Sequence, residues 1–133
     1  MEQTPLFRFR ALIVEDEAIV AMEIQDQLEA FGWEVCGIAA SGAEAIRLAA
    51  LKQPDLIILD NTLNGPMTGV EAAEVIRSAG PTPLLFLTAT VDDKIAARIR
   101  KIDPEAAFLS KPFTEEELRR ETERVAKRMR DCP

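Results

Sequence analysis

Along this chain, apolar runs of strand length alternate with longer stretches in which apolar residues recur every three or four positions, and the pair of patterns repeats five times. The runs lie at residues 11–14, 33–39, 56–59, 84–87 and 106–109, and four of them carry no charged position. Near-continuous apolar runs are expected of strands buried on both faces of a parallel sheet, whereas a half-exposed antiparallel strand alternates. Five strand-then-helix pairs therefore predict an α/β fold, doubly wound, with five parallel strands flanked by five helices.

Local signals place the helix ends. Val20, Ile24, Leu28 and Phe31 fall at helical spacing, and Gly32 supplies a stop. Ser41 with Glu44, Thr68 with Glu71, and Thr114 with Glu117 each have the Ser/Thr-x-x-Glu form, in which side chains satisfy free amides at a helix start. Pro54 ends the second helix and Gly80 the third. Asp92 or Asp93 opens a fourth helix carrying Ile95, Ile99 and Ile102, and the fifth places Leu118, Val125 and Met129 on one face. A loop holding Asn61, Asn64, Gly65 and Pro66 follows the third strand, where backbone can approach a ligand.

Composition narrows the function classes. A chain of 133 residues fits one domain, and 47% apolar with 29% charged residues is a globular balance. The longest apolar runs are strand-sized, so no membrane insertion is expected, and Met1 to Pro5 lacks the basic start and apolar core of a secretory signal. A cytoplasmic location is the default expectation. Cys36 and Cys132 match neither a metal motif nor a disulfide framework. With 16 basic against 23 acidic residues the net charge is −7, which repels nucleic-acid phosphates, so no direct nucleic-acid binding is expected. Histidine is absent, which excludes His-based catalysis and any phosphohistidine on this chain; no Gly-x-x-x-x-Gly-Lys-Ser/Thr nucleotide loop occurs either.

Five polar positions stand at the ends of apolar runs: Glu15 and Asp16, then Asp60, Thr88 and Lys111. In a parallel sheet they gather at one edge, where open α/β folds bind ligands. Each has an ordinary structural reading: Asp60 as a turn former, Glu15 and Asp16 as an acidic helix start, Thr88 as a β-branched strand residue, Lys111 as a surface lysine beside a turn proline. The set changes the argument. Two like charges near 4 Å cost about 4 kcal/mol at an effective dielectric of 20, so a folded cluster of three carboxylates needs a cation or raised pKa values. A hard divalent ion such as Mg²⁺ meets that need with oxygen ligands.

The segments Ile-Val-Glu-Asp-Glu at 13–17, Leu-Asp-Asn-Thr at 59–62, Leu-Thr-Ala-Thr at 87–90 and Leu-Ser-Lys-Pro-Phe at 109–113 resemble, in order and spacing, the receiver domain of two-component response regulators, in its stand-alone single-domain form. The resemblance runs from about residue 10 to 129, leaving residues 1–9 as a short extension with the start of the first strand and 130–133 as a tail. It implies a flavodoxin-like (βα)5 fold with strand order 2-1-3-4-5. It also implies that Asp60 is a phosphoryl acceptor served by a sensor histidine kinase or a histidine phosphotransfer protein. Mg²⁺ (or Mn²⁺) would be ligated by Asp16, Asp60 and the main-chain carbonyl of Thr62, with Glu15 acting through water. Lys111 would neutralise charge on the transferring oxygens, and its bond to Pro112 would be cis. Thr88 would contact the phosphoryl group and Phe108 would follow it inward, changing the α4-β5-α5 face for a downstream protein partner. The resemblance also admits a phosphorylation-linked homodimer.

Three positions depart from the family's commoner form. Phenylalanine stands at 108 where tyrosine is common, and the chain has no tyrosine at all; Thr90 carries no charge; and proline does not fall four residues after Asp60. Two other readings compete. A phosphatase of the haloacid dehalogenase type also uses Asp, Thr, Lys and an acidic pair, but there the nucleophile precedes the acidic pair, and Thr62 is a poor acid/base. A degenerate receiver would act as an interaction module without phosphorylation. Because the sequence ends soon after the fifth helix, output is expected to pass through a partner and the chain is not expected to be a metabolic enzyme. Ile95, Ile99 and Ile102 beside Arg98, Arg100 and Lys101 form either a docking face or a core stripe with a solvated rim.

Overall fold

The computed structural model describes residues 9–63, 65–89 and 92–131. Asn64, Thr90 and Cys132, on which the sequence set expectations, lie outside the described residues. Five strands, β1 (Arg10–Val14), β2 (Glu34–Ala39), β3 (Leu56–Asp60), β4 (Leu84–Thr88) and β5 (Ala107–Ser110), form one parallel sheet in the order β2-β1-β3-β4-β5. Five helices connect and follow them: α1 (Ala18–Ala30), α2 (Gly42–Lys52), α3 (Gly69–Ala79), α4 (Asp93–Ile102) and α5 (Glu115–Asp131).

Side chains alternate across the sheet and divide the core in two. Ala11, Ile13, Ile58 and Leu87 pack with Ile24 and Leu28 of α1 and Leu118 and Val125 of α5. Leu12, Val14, Leu59 and Phe86 pack with Ala45 of α2, Val70 and Ile76 of α3, and Ile99 of α4. Both faces of the central strands are therefore buried, which is why β3 and β4 read as unbroken apolar runs.

The helix ends follow the capping logic with one local difference. Thr68 and Glu71 form the reciprocal box at α3, and Thr114 and Glu117 do the same at α5. At α2 the Ser41 hydroxyl accepts from Glu44 N–H, but the Glu44 carboxylate reaches past the cap to Ala40 N–H at 2.9 Å. Asp92, rather than Asp93, caps α4 by accepting from Ile95 N–H. Gly32, at φ +98°, closes α1: its own N–H reaches Glu29 and that of Trp33 reaches Leu28. Trp33, expected to open β2, precedes it and is buried against Phe9.

Helix α4 is the lightest anchored of the five. Only Ile99 is fully buried; Ile95 and Ile102 are half-buried against the same core, so the three isoleucines are a core stripe. Its C-terminal end is held by a buried ion pair at the sheet edge away from the acidic residues. Asp103 accepts from Leu84 N–H and Glu105 N–H, and Arg77 of α3 lies 3.6 Å from it while donating to the carbonyls of Ile102 and Thr82.

Candidate functional site

The five chemistry-bearing residues meet at the C-terminal edge of the sheet. Glu15 follows β1 and continues its ladder, its N–H donating to Ala39 carbonyl at 2.9 Å. Asp60 is the last residue of β3 and pairs in register with Leu87 of β4. Thr88 ends β4 opposite Ser110 of β5, and its carbonyl accepts from Lys111 N–H. Parallel register thus fixes four backbones before any side chain is considered.

Glu15, Asp60 and Thr88 each keep less than a tenth of their full exposure, which is unusual for the two carboxylates. One carboxylate oxygen from each of Glu15, Asp16 and Asp60 lies within 4.8 Å of the others. The Lys111 ammonium sits between two of them, 3.0 Å from Glu15 Oε1 and 2.9 Å from Asp60 Oδ2. Asp60 Oδ1 accepts from Thr62 N–H at 2.9 Å, and Glu15 Oε2 from Glu17 N–H at 3.2 Å. The Lys111–Pro112 bond is cis.

Burial pushes the Glu15 carboxyl above its ordinary range, against the opposing pull of the Lys111 hydrogen bond. At Lys111 burial is the largest single influence and acts downward, yet the bonds to Asp60 and Glu15 together outweigh it and hold the ammonium above its usual value. One positive charge thus faces three carboxylates. When these are ionised two formal negative charges are left over, and a hard oxygen donor set of this kind fits a divalent cation. Receiver domains generally bind Mg²⁺ in such an acidic pocket.

Phe108 lies one layer away from this edge. Its ring stacks on Phe86 with centroids 6.3 Å apart, and the Arg100 guanidinium of α4 covers it at 5.2 Å from its centroid. The neighbouring Arg98 makes two 2.7 Å hydrogen bonds to Glu74 of α3. Neither contact was legible beforehand, because the partners lie 8 and 24 positions apart on different elements. Sequence spacing places Asn61 only in the loop after β3. It accepts from Gly69 N–H with its carbonyl at 3.0 Å and from Val70 N–H with Oδ1 at 3.1 Å. An Asn directly after a strand-ending Asp was the available signal.

The arrangement agrees with the comparisons. The family described as the response regulator receiver domain matches residues 11–123. The transcriptional regulatory protein PdtaR of Mycobacterium tuberculosis is 36% identical over 122 residues, covering 92% of this chain and 58% of that protein. The phyllosphere-induced regulator PhyR of Methylorubrum extorquens is 34% identical over 104 residues, covering 77% and 38%. The chain therefore spans little more than half the length of the one relative and less than half of the other. Among solved structures, chemotaxis protein CheY4 of Vibrio cholerae superposes with a TM-score of 0.82 at 29% identity, covering 90% of this chain and 99% of that one. This chain belongs to the response regulator receiver domain family. It is accordingly a regulatory module of two-component signalling, and the phosphatase reading falls with that assignment.

Proposed function

We propose that this chain is a phosphorylation-dependent switch in which Asp60 accepts a phosphoryl group from a histidine kinase or histidine phosphotransfer protein. The observation that carries the reading is the Lys111 ammonium held between Glu15 and Asp60 within a cluster of three carboxylates. Asp60 Oδ attacks phosphorus as the P–N bond of the donor's ring-protonated phosphohistidine breaks, its electron pair staying on nitrogen, which leaves an acyl phosphate here and a neutral imidazole there. Lys111 remains beside the transferring oxygens and offsets their charge, and Thr88, buried at the end of β4, flanks them. Asp16, Asp60 and the carbonyl of Thr62, with Glu15 through water, would hold Mg²⁺ or Mn²⁺, which neutralises further charge on the phosphoryl oxygens. Phe108 and the α4-β5-α5 face carry the response to a downstream partner in the cytoplasm.

Intact-mass measurement after treatment with acetyl phosphate tests the reading. A single phosphoryl adduct is expected with Mg²⁺, and none with chelator or in Asp60→Asn. If the wild-type chain gains no adduct from acetyl phosphate or from a panel of phosphorylated kinases, it is an interaction module instead.

A further inference from the structure

We infer that Asn61 is a positioning residue: it bolts the backbone beside the acceptor Asp60 to the first turn of α3, and the rate of phosphoryl transfer depends on that bolt. The inference rests on the reading of Asp60 as acceptor.

A helix start leaves four amide groups without intrahelical partners. At α3 each can be traced. The capping box takes two, Thr68 N–H going to Glu71 Oε1 and Glu71 N–H to Thr68 Oγ1. The box cannot reach Gly69 N–H and Val70 N–H, and Asn61 takes both, one with its main-chain carbonyl and one with Oδ1. Val70 itself is 2% exposed, so its amide has little access to water as a substitute.

A second observation points the same way. Gly69 lies against the acceptor's own backbone: a Cβ built there would overlap the carbonyl oxygen of Asp60 and come within 2.9 Å of Asn61 Cα. Helix α3 therefore seats directly on the Asp60–Asn61 peptide, with Asn61 supplying the attachment and Gly69 the clearance. Register with β4 fixes Asp60 on the strand side. From the next residue onward the chain leaves the sheet, and Asn61 fixes it there. The Asp60 carboxylate, which accepts from Thr62 N–H one residue beyond Asn61, is thus set from both sides.

The test compares Asn61→Ala, Asn61→Asp and Gly69→Ala with wild type, following adduct formation by intact mass across acetyl phosphate concentrations. Circular dichroism and urea melts run in parallel. Misplacement of a reacting group by about 1 Å costs up to about a hundred-fold, so Asn61→Ala and Gly69→Ala are expected to lower the maximal rate about ten-fold or more. The half-saturating concentration should stay within about two-fold, because donor binding is untouched. Asn61→Asp, which keeps an oxygen in place of Oδ1, should regain most of the lost rate. A folded Asn61→Ala or Gly69→Ala protein with a maximal rate within two-fold of wild type would overturn the inference, even if less stable. Should Asn61→Ala fail to fold, Asn61→Asp against Gly69→Ala decides by the same criterion. A wild-type chain that forms no adduct would overturn the acceptor reading and this inference together.

Discussion

Lys111 is the residue on which the site's charge balance turns. Its ammonium contacts two buried carboxylates and is itself only 22% exposed at the side chain, so it is held by solvent-poor contacts rather than by a surface ion pair. Removing one partner of such a group leaves uncompensated buried charge, which typically costs about 3–5 kcal/mol, less here because the pocket opens to water. Lys111→Met is therefore expected to lower the urea midpoint at neutral pH and to slow adduct formation about a hundred-fold, the usual scale for losing a donor to developing charge. The pH dependence has a definite sign. Because the folded-state pKa of Lys111 lies above its ordinary 10.5, its contribution is fully present below that value and is lost as pH rises through the raised one. Urea melts of wild type and Lys111→Met from pH 8 upward should converge in the strongly alkaline range; a constant gap would mean that the lysine acts through packing alone. Glu15 behaves oppositely to a salt-bridged acid: burial favours its protonated form, so its contribution is greatest below 4.5 and declines as pH rises through its elevated value.

At the scale of elements, α3 and α4 are joined across the surface by Glu74 and Arg98. The pair is exposed, and its two-pronged geometry makes it specific without making it strong. The Arg98 hydrogen bond is the chief reason the Glu74 carboxyl is held below its ordinary 4.5, so the coupling should exist above that pH and vanish as acid protonates Glu74. A double-mutant cycle with Glu74→Gln and Arg98→Gln should show favourable coupling at pH 7 in dilute buffer and none in about 1 M salt, where screening reaches about 3 Å. Coupling that persists in high salt would assign the contact to packing. Such pairings explain what the sequence did and did not disclose. The strands were readable because Leu56 to Leu59 and Leu84 to Leu87 are buried on both faces, and the caps because Thr68 and Glu71 meet within one turn. Arg98 finding Glu74, Arg100 covering Phe108 and Asn61 reaching Val70 depend on how separate elements lie, and local spacing carries no record of that. The acidic site was legible for the opposite reason: parallel strands deliver their ends to one edge whatever the loops do.

For the molecule as a whole, the folded state brings the Asp60 carboxylate to those of Glu15 and Asp16, from which the unfolded chain keeps it apart. An ion bound by that cluster binds the native state selectively, and linkage then stabilises the fold by about 2.7 kcal/mol at a hundred times the dissociation constant. Thermal melts should rise steadily with Mg²⁺ concentration in wild type and rise little in Asp16→Asn, with an equal amount of sodium salt as the ionic-strength control. A Mg²⁺ response of the same size in both proteins would remove Asp16 from the ligand set. No helix among the described residues is long and apolar enough to cross a membrane.

The two ends of α4 are unequally moored. At Ile102 and Asp103 the buried Arg77 network welds it to β4 and α3, while the rest of it is held by the packing of Ile95 and Ile99, an exposed ion pair and a ring contact. A ten-residue helix is about 15 Å long, so a tilt of ten degrees about the welded end would carry the Asp92 end through about 2.5 Å. A tilt of that kind would have its fulcrum at the edge of the sheet remote from the acid cluster and its greatest travel at the Asp92 end.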